Sequence, residues 1–203
     1  MNMPTVEFSV PEAQFEFFFP LLRQGVRVLV QEGQTVKGLL QDELGLTQDT
    51  IASRIQTVFL NGHPVDDMAG TGLEEDAVLS LSAAMPGLLG ACMRVDSPYA
   101  TMRDSITQRR SSQAAAREGA SAIGFTLKLF NFMAREIGPC VLERGVVVDS
   151  ERVLTLVGDA GEEGLWKAGA GLAIDGSVID PLQEPLAVRF ASWDWLLVRV
   201  VIH

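Results

Sequence analysis

The chain is acidic, rich in apolar residues and poor in residues that bind metals. It has 203 residues, with 26 acidic against 16 basic side chains, a formal net charge of −10 and 47% apolar residues. The apolar content is ample for a hydrophobic core, and a length of 203 residues lies near the boundary between one large and two small domains. Two cysteines far apart in sequence and two histidines exclude a disulfide framework and give no indication of a metal site.

Two strands and a helix are predicted within the first 45 residues. Phenylalanines alternate over 15–19 and valines over 26–30, with the period of two that is typical of strands. Thr35 then stands where a helix N-cap is expected, and apolar residues recur at helical spacing over 36–44. Gly45 ends this run, so the predicted order is strand, strand, helix.

A hairpin and a last strand follow the helix. Asn61-Gly62 separates two apolar runs, and both of its residues tolerate the positive φ that a type I′ turn requires. After the acidic loop 73–76, residues 78–83 alternate as a strand. The strand leads into residues 85–90, where proline and glycine predict an extended tail rather than a helix.

The elements of residues 5–90 thus have the order β-β-α-β-β and end in a glycine-bearing tail. This part of the chain resembles the β-grasp, ubiquitin-like sulfur carriers, namely the small subunit of molybdopterin synthase and the thiamine-biosynthesis sulfur carrier. The resemblance implies a β-grasp domain over 1–93 that docks a protein, such as an adenylating enzyme or a synthase, through its open sheet face and tail strand. The candidate binding residues on this surface are Phe59, Leu79, Leu81, Met85 and Leu88.

The tail departs from the family pattern. Sulfur carriers of this family end in Gly-Gly, whose carboxylate is adenylated and then converted to a thiocarboxylate. Here the tail runs from Gly87 to Gly90, Ala91 and Cys92 without a Gly-Gly pair, and more than a hundred residues follow it. We therefore expect a non-enzymatic protein-interaction protein whose β-grasp domain has lost the carrier role.

The alternative is a sulfur-carrier precursor for molybdopterin or thiamine-type biosynthesis. A protease would cleave before Ala91, and Gly90 would then carry the reactive carboxylate. The candidate residues of such a tail are Gly87, Gly90 and Cys92. For Cys92, a structural thiol is favoured over persulfide exchange, because a thiol in apolar surroundings is unreactive.

Residues 94–139 are predicted to form a helical connector. Ser97-Pro98 predicts the start of a first helix, and apolar residues over 123–137 predict a second one that Gly138-Pro139 ends. A stripe of small residues along these helices indicates a helix that crosses a sheet or, alternatively, a homodimer contact. This stripe consists of Ala116, Ala120 and Gly124.

The connector is basic, whereas the segments before and after it are acidic. Its net charge is +3, against −8 for residues 1–93 and −5 for residues 141–203. We interpret its arginines as a solvated helix face or as partners of the acidic loop over 66–76 in the same molecule. Nucleic-acid binding is the weaker interpretation, because the protein as a whole is acidic.

Residues 140–203 are predicted to form a β-rich domain, a small sheet or barrel. Asp175-Gly176 predicts a second type I′ turn, and the last strand is expected to be central and covered on both faces. The glycines over 158–164 indicate a loop, and those over 169–171 are a weak dinucleotide signal. The predicted strands are 140–142, 146–148, 153–157, 172–174, 178–179, 186–190 and 195–202.

Taken together, the sequence predicts an α+β protein that is not an enzyme and uses no cofactor, because no catalytic constellation is present. The first seven residues lack the basic and apolar regions of a signal peptide. A run of about eighteen apolar residues, as a membrane span needs, is also missing. We therefore expect a cytoplasmic protein. A third interpretation, an enzymatic C-terminal part with a β-grasp specificity domain, ranks last.

Overall fold

The computed structural model describes residues 3–95, 97–103, 106–108 and 121–203. The described chain mixes helices and strands, which confirms the α+β class. It forms two compact units, which we call the internal unit (Leu21–Gly138) and the terminal unit (Met1–Pro20 with Pro139–His203). The change of unit at 138/139 lies one residue from the expected boundary, whereas residue 93 lies inside the internal unit.

Ten strands are present in the described residues. They are β1 (Thr5–Val10), β2 (Val26–Gln31), β3 (Thr57–Leu60), β4 (His63–Pro64), β5 (Val78–Ser82), β6 (Ala122–Phe130), β7 (Val146–Asp149), β8 (Gly171–Ile174), β9 (Ser177–Ile179) and β10 (Trp195–Ile202).

The helices are short, with one exception of 13 residues. They are α1 (Phe19–Gln24), α2 (Val36–Gly38), α3 (Gln48–Arg54), α4 (Gly87–Met93), α5 (Met133–Glu136), α6 (Gly138–Arg144), α7 (Ser150–Glu162) and α8 (Leu186–Phe190). A π-helical turn over Leu39–Glu43 continues α2, and 3₁₀ turns cover Glu12–Phe18, Ala100–Arg103 and Trp166–Ala168. Within the described ranges, no helix has the length and apolar character needed to cross a membrane.

The five strands of the internal unit pair in the order β2-β6-β5-β3-β4. Strands β5 and β6 run parallel, and the other neighbours run antiparallel. Its core contains side chains that alternate along the strands, among them Leu79 and Leu81 of β5 and Phe125, Leu127 and Leu129 of β6, all 0% exposed. The helix that Thr35 caps is confirmed, since the Thr35 hydroxyl accepts a hydrogen bond from the Gly38 N–H (2.9 Å).

The five strands of the terminal unit pair in the order β7-β10-β1-β8-β9. Strand β1 runs parallel to β10 and antiparallel to β8, so the first residues of the chain share a core with the last. Phe8 stacks on Trp166 (6.1 Å between centroids) and meets Phe18 edge-on (5.5 Å). Trp166 of the C-terminal third thus packs on Phe8 of β1, and Phe8 in turn packs on Phe18.

The hairpins of the two units share one hydrogen-bonding pattern. Asn61 (φ 51°) and Asp175 (φ 49°) each open a two-residue turn with a glycine, as predicted. The Asn61 N–H donates to the Val78 carbonyl (2.9 Å), and its Oδ1 accepts from the Val78 N–H (2.8 Å). Asp175 makes the same two bonds with Thr5, at 2.9 and 2.8 Å. Thr5 therefore occupies in the terminal unit the position that Val78 occupies in the internal unit.

Glycines at matching places support the same equivalence. Gly25 (φ 112°) precedes β2 and Gly145 (φ 102°) precedes β7, and both turn the chain from a helix into an antiparallel strand. A Cβ on Gly25 would meet Thr126, and a Cβ on Gly145 would meet Leu197. The two units therefore share one sheet pattern, although the strand matching β5 comes from the N-terminus in the terminal unit.

Several predicted strands are helical instead. Residues 15–19 are not a strand, because the buried residues are Phe15 and Phe18, three apart as a 3₁₀ turn requires. Residues 153–157 belong to α7, where the Asp149 carboxylate caps the helix by accepting from the Arg152 N–H (2.8 Å). The predicted strands 140–142 and 186–190 lie in α6 and α8, and the predicted loop over 158–164 contains the end of α7.

The predicted helix over 123–137 is wrong in its first half, which forms strand β6. The apolar residues there fit a period of four as well as a period of two, and the pairing with β2 and β5 selects the strand. Gly124 therefore does not lie on a helix, and the other members of the proposed stripe, Ala116 and Ala120, lie outside the described residues. The last strand, β10, is central as predicted, but Trp195 (50% exposed) shows that one face is partly open.

Candidate interaction site

The segment after β5 turns into a helix instead of extending. Pro86 is extended, and Gly87 has a φ of 80°, a left-handed conformation that glycine adopts without strain. Helix α4 then runs over Gly87–Met93, so the predicted extended tail is wrong. The reason is that Pro86 stands just before the first turn, where a proline does not interrupt helical hydrogen bonds.

Gly90 lies inside α4 and is buried. A Cβ at this position would lie 2.1 Å from the Met85 carbonyl oxygen, so only glycine allows the backbone of α4 to approach Met85 this closely. The peptide bond to Ala91 is part of the helix. A protease that cleaved before Ala91 would therefore have to unwind α4 first.

Cys92 is buried against a methionine. It is 8% exposed, and its Sγ lies 3.9 Å from the Sδ of Met102. Its backbone carbonyl accepts a hydrogen bond from the Arg103 Nε–H (2.6 Å). This placement agrees with a structural thiol, since a reactive cysteine needs both exposure and an electropositive surrounding.

Arg103 holds the segment after α4 against the hairpin. Its side chain is 2% exposed and forms a two-pronged ion pair with Asp66, with N–O distances of 2.7 and 3.0 Å. The guanidinium also donates to the carbonyls of Cys92 and Arg94 and to the Thr107 hydroxyl. A buried charge needs such complete pairing. The expectation that a connector arginine answers the acidic loop is confirmed for Arg103.

The same segment covers the outer edge of the sheet of the internal unit. The Gln108 N–H donates to the Pro64 carbonyl on β4 (2.7 Å). One residue before Pro64, the Nδ1–H of His63 donates to the Ile106 carbonyl (3.0 Å). The first of these bonds satisfies a backbone carbonyl at a strand edge that would otherwise be open to other chains.

The anchored segment exposes large apolar side chains. Leu88 (67% exposed) and Leu89 (70%) lie on α4, and Met102 (69%) lies on the 3₁₀ turn whose neighbour Arg103 is buried. Tyr99 and Ile106 are 48% and 44% exposed. We call these five side chains the apolar surface. Their backbone is held in place, so the exposure belongs to a fixed structure.

Only one of the predicted binding residues belongs to this surface. Leu88 is exposed, whereas Leu79 and Leu81 are fully buried in β5, which excludes them from an interaction surface. Phe59 and Met85 are partly buried. The interpretation of β5 as an open face failed because β5 pairs on both sides, with β3 and β6, and its leucines point to the core.

A cavity of about 320 Å³ opens beside α3. Its apolar lining includes Ile51, Ile55 and Met68, and Arg94 also faces it. Gln56 lines it as well, and its buried Oε1 has no hydrogen-bond partner among the described residues. An orphaned acceptor costs free energy, so a donor in this cavity would be stabilising.

Neither a metal centre nor a dinucleotide loop emerges from the described ranges. In them, no group of three or more histidine, cysteine, aspartate or glutamate side chains is arranged to hold a metal ion. Gly169 (φ 102°) ends the 3₁₀ turn at Trp166–Ala168, and Gly171 begins β8, so this pair frames a turn into a strand.

The most important residue that the sequence reasoning missed is Arg27. It pairs with Glu75 and Asp76, and the Glu75 carboxylate also accepts from the Gly124 N–H (2.7 Å). The signal for Arg27 was the surplus of acidic residues over 66–76, which needs cations nearby.

In comparisons with family models, curated proteins and solved structures, nothing matches this chain.

Proposed function

We propose that the chain is a non-enzymatic protein-interaction protein and that the apolar surface of the internal unit is its main contact. The observation that carries this proposal is the exposure of Leu88, Leu89 and Met102 on a backbone anchored by the buried Arg103. Exposed apolar side chains grouped on one short segment are typical of interaction sites. A fixed backbone adds to affinity because less ordering is needed on binding.

The proposed family relation is a β-grasp-like domain of the sulfur-carrier kind within the internal unit. The resemblance rests on the order β-β-α-β-β, and its last four elements are kept by β2, the α2 and α3 region, β3 and β5. The strand beside β2 is β6, from far along the chain, and not residues 15–19. On this proposal the partner belongs to the class of adenylating enzymes or synthases, and the setting is cytoplasmic.

The test compares the partners retained by the protein and by a surface variant. We expect Leu88→Ser with Leu89→Ser to lose the proteins that co-purify with the full chain from its native cells. The matched control is Val188→Ser on α8, which removes an equally exposed apolar side chain (75%) elsewhere. Equal retention by all three forms, or no retained protein, would contradict the proposal.

Intact mass spectrometry separates this proposal from the sulfur-carrier precursor. A species that ends at Gly90 and carries a thiocarboxylate would establish the precursor. Full-length mass alone is expected here, because Gly90 is buried inside α4.

A further inference from the structure

The repeated hairpin allows the two sheet edges to be compared position by position. Pro64 and Val178 are each the second residue after the turn, in β4 and β9. Asp66 and Asp180 are each the fourth. In the internal unit these two positions hold the chain's own segment, through Gln108 on the Pro64 carbonyl and Arg103 on Asp66. The internal unit therefore shows that a backbone N–H donor and an arginine side chain can cover the strand edge after such a hairpin.

In the terminal unit the same edge is open. In an antiparallel hairpin with a two-residue turn, the pair that closes the turn, Ile174 with Ser177, is hydrogen-bonded. The next pair, Ala173 with Val178, is not, so the N–H and C=O of Val178 point away from β8. Among the described residues none bonds these two groups, and Val178 is 87% exposed.

Side chains around this edge line a cavity of about 330 Å³ whose two charged residues are Asp180 and Lys167. Its lining also includes Trp166, Leu172, Val178 and Leu182. Leu182 is 68% exposed. Asp180 accepts a hydrogen bond from the Leu182 N–H (3.0 Å) but has no ion-pair partner within the described part of the chain. Asp180 thus occupies the same position after its hairpin as Asp66 does, but among the described residues no arginine pairs with it.

We propose that the β9 edge of the terminal unit binds a segment of a partner protein that carries an arginine and a nearby large apolar residue. The arginine pairs with Asp180, the apolar side chain enters the cavity, and the partner backbone bonds the N–H and C=O of Val178 by strand addition. The template for the arginine and the backbone bonds is in the internal unit, where Arg103 pairs with Asp66 and the Gln108 N–H donates to the Pro64 carbonyl at the matching edge. The apolar side chain is inferred from the cavity.

This inference extends the proposed interaction role to a second surface and does not depend on the apolar surface. The probe is a synthetic peptide with the sequence of positions 101–108, titrated into the full chain and followed by amide shifts in NMR. We expect shifts over 177–180. A peptide with glutamine in place of the arginine at 103 is expected to bind at least about fivefold more weakly, because a hydrogen-bonded charge pair is lost.

Two protein variants and a control complete the test. Asp180→Asn should weaken the peptide at least about fivefold, whereas Asp159→Asn, an exposed acid on α7, should leave it unchanged. Val178→Pro removes the outward N–H and should weaken the peptide by about two- to tenfold. A proline fits this position in the internal unit, as Pro64 shows, so the variant is expected to fold.

Three outcomes would overturn the proposal. The first is the absence of shifts over 177–180, and the second is equal affinity in the Asp180→Asn variant. The third is a concentration-dependent dimer in sedimentation that Val178→Pro abolishes, which would make a second copy the occupant. Leu88→Ser with Leu89→Ser should leave the peptide affinity unchanged, so failure of one surface is distinguishable from failure of the other.

Discussion

The two units use the same sheet pattern but complete it with different parts of the chain. The internal unit takes all five strands from one continuous stretch, Leu21–Gly138. The terminal unit takes β1 from the first ten residues and its other strands from the last third. The pattern of paired strands thus tolerates a change in the origin of one strand, provided that the hairpin bonds at Asn61 and Asp175 are kept.

The units also differ in how the edge after the hairpin is treated. In the internal unit a chain segment with a buried arginine covers β4, whereas β9 in the terminal unit has an exposed Val178 and an unpaired Asp180 in the described structure. Open strand edges favour pairing with other chains. The edge after the hairpin is therefore covered by a segment of the same chain in the internal unit. In the terminal unit, as we propose, the matching edge binds a partner protein.

The largest expected effect comes from removing β1. Deletion of residues 1–12 takes away a strand that pairs on both sides and the buried side chains of Val6, Phe8 and Val10. We expect loss of folding of the terminal unit, because the lost burial and strand pairing are comparable to the roughly 5–15 kcal/mol by which a whole domain is stable. Hydrogen exchange of the backbone amides over 196–200, in β10, measures this loss of folding. Deletion of residues 1–3 is the control, and retained protection after the long deletion would contradict the shared core.

A smaller effect is expected from breaking the buried pair of Arg103 and Asp66 in the internal unit. Arg103→Ala leaves Asp66 and two backbone carbonyls without their donor. We expect a loss of about 2–4 kcal/mol in the free energy of unfolding, measured by urea denaturation. The control is Arg189→Ala, which breaks the exposed pair with Glu184 and should cost at most about 1 kcal/mol. Equal losses would show that Arg103 is not an anchor.

The smallest effect compares the matching glycines. In Gly25→Ala the new Cβ would lie 2.7 Å from the Thr126 Cγ2, whereas in Gly145→Ala it would lie 3.1 Å from the Leu197 Cδ1. Both residues have positive φ, so each substitution is expected to cost about 1–2 kcal/mol. The closer contact adds to the cost at Gly25. Thermal unfolding of the two variants checks the order, and a larger loss for Gly145→Ala would contradict the contact argument.

The parts of the fold that could be predicted from the sequence are those with local chemical signals. The cap at Thr35 and the turns at Asn61 and Asp175 depend on neighbouring residues alone, and all three are present. Strand β1 was missed although Val6, Phe8 and Val10 alternate, and α7 was missed although Asp149 is a good cap. In these two places the signal was in the sequence.

The remaining errors have a physical cause in distant contacts. Strand β6 is selected over a helix by its pairing with β2 and β5, some 40 to 100 residues earlier. At the site, the arginines and acids were visible in the sequence, but the pairing of Arg103 with Asp66 depends on how α4 and the next turn pack. Leu79 and Leu81 were misplaced for the same reason, since burial is decided by partner strands.

The pairing of β1 with β10 has a consequence for synthesis on the ribosome. Strand β1 is made long before its partner β10, which places Thr5 beside Leu197 and Val10 beside Ile202. Until β10 is made, the core side chains Val6 and Phe8 remain uncovered, whereas the strands within residues 21–138 can pair with one another earlier. Contacts between residues far apart in sequence also form slowly. The newly made chain therefore exposes β1 for a long period, during which an apolar-binding chaperone would protect it from aggregation.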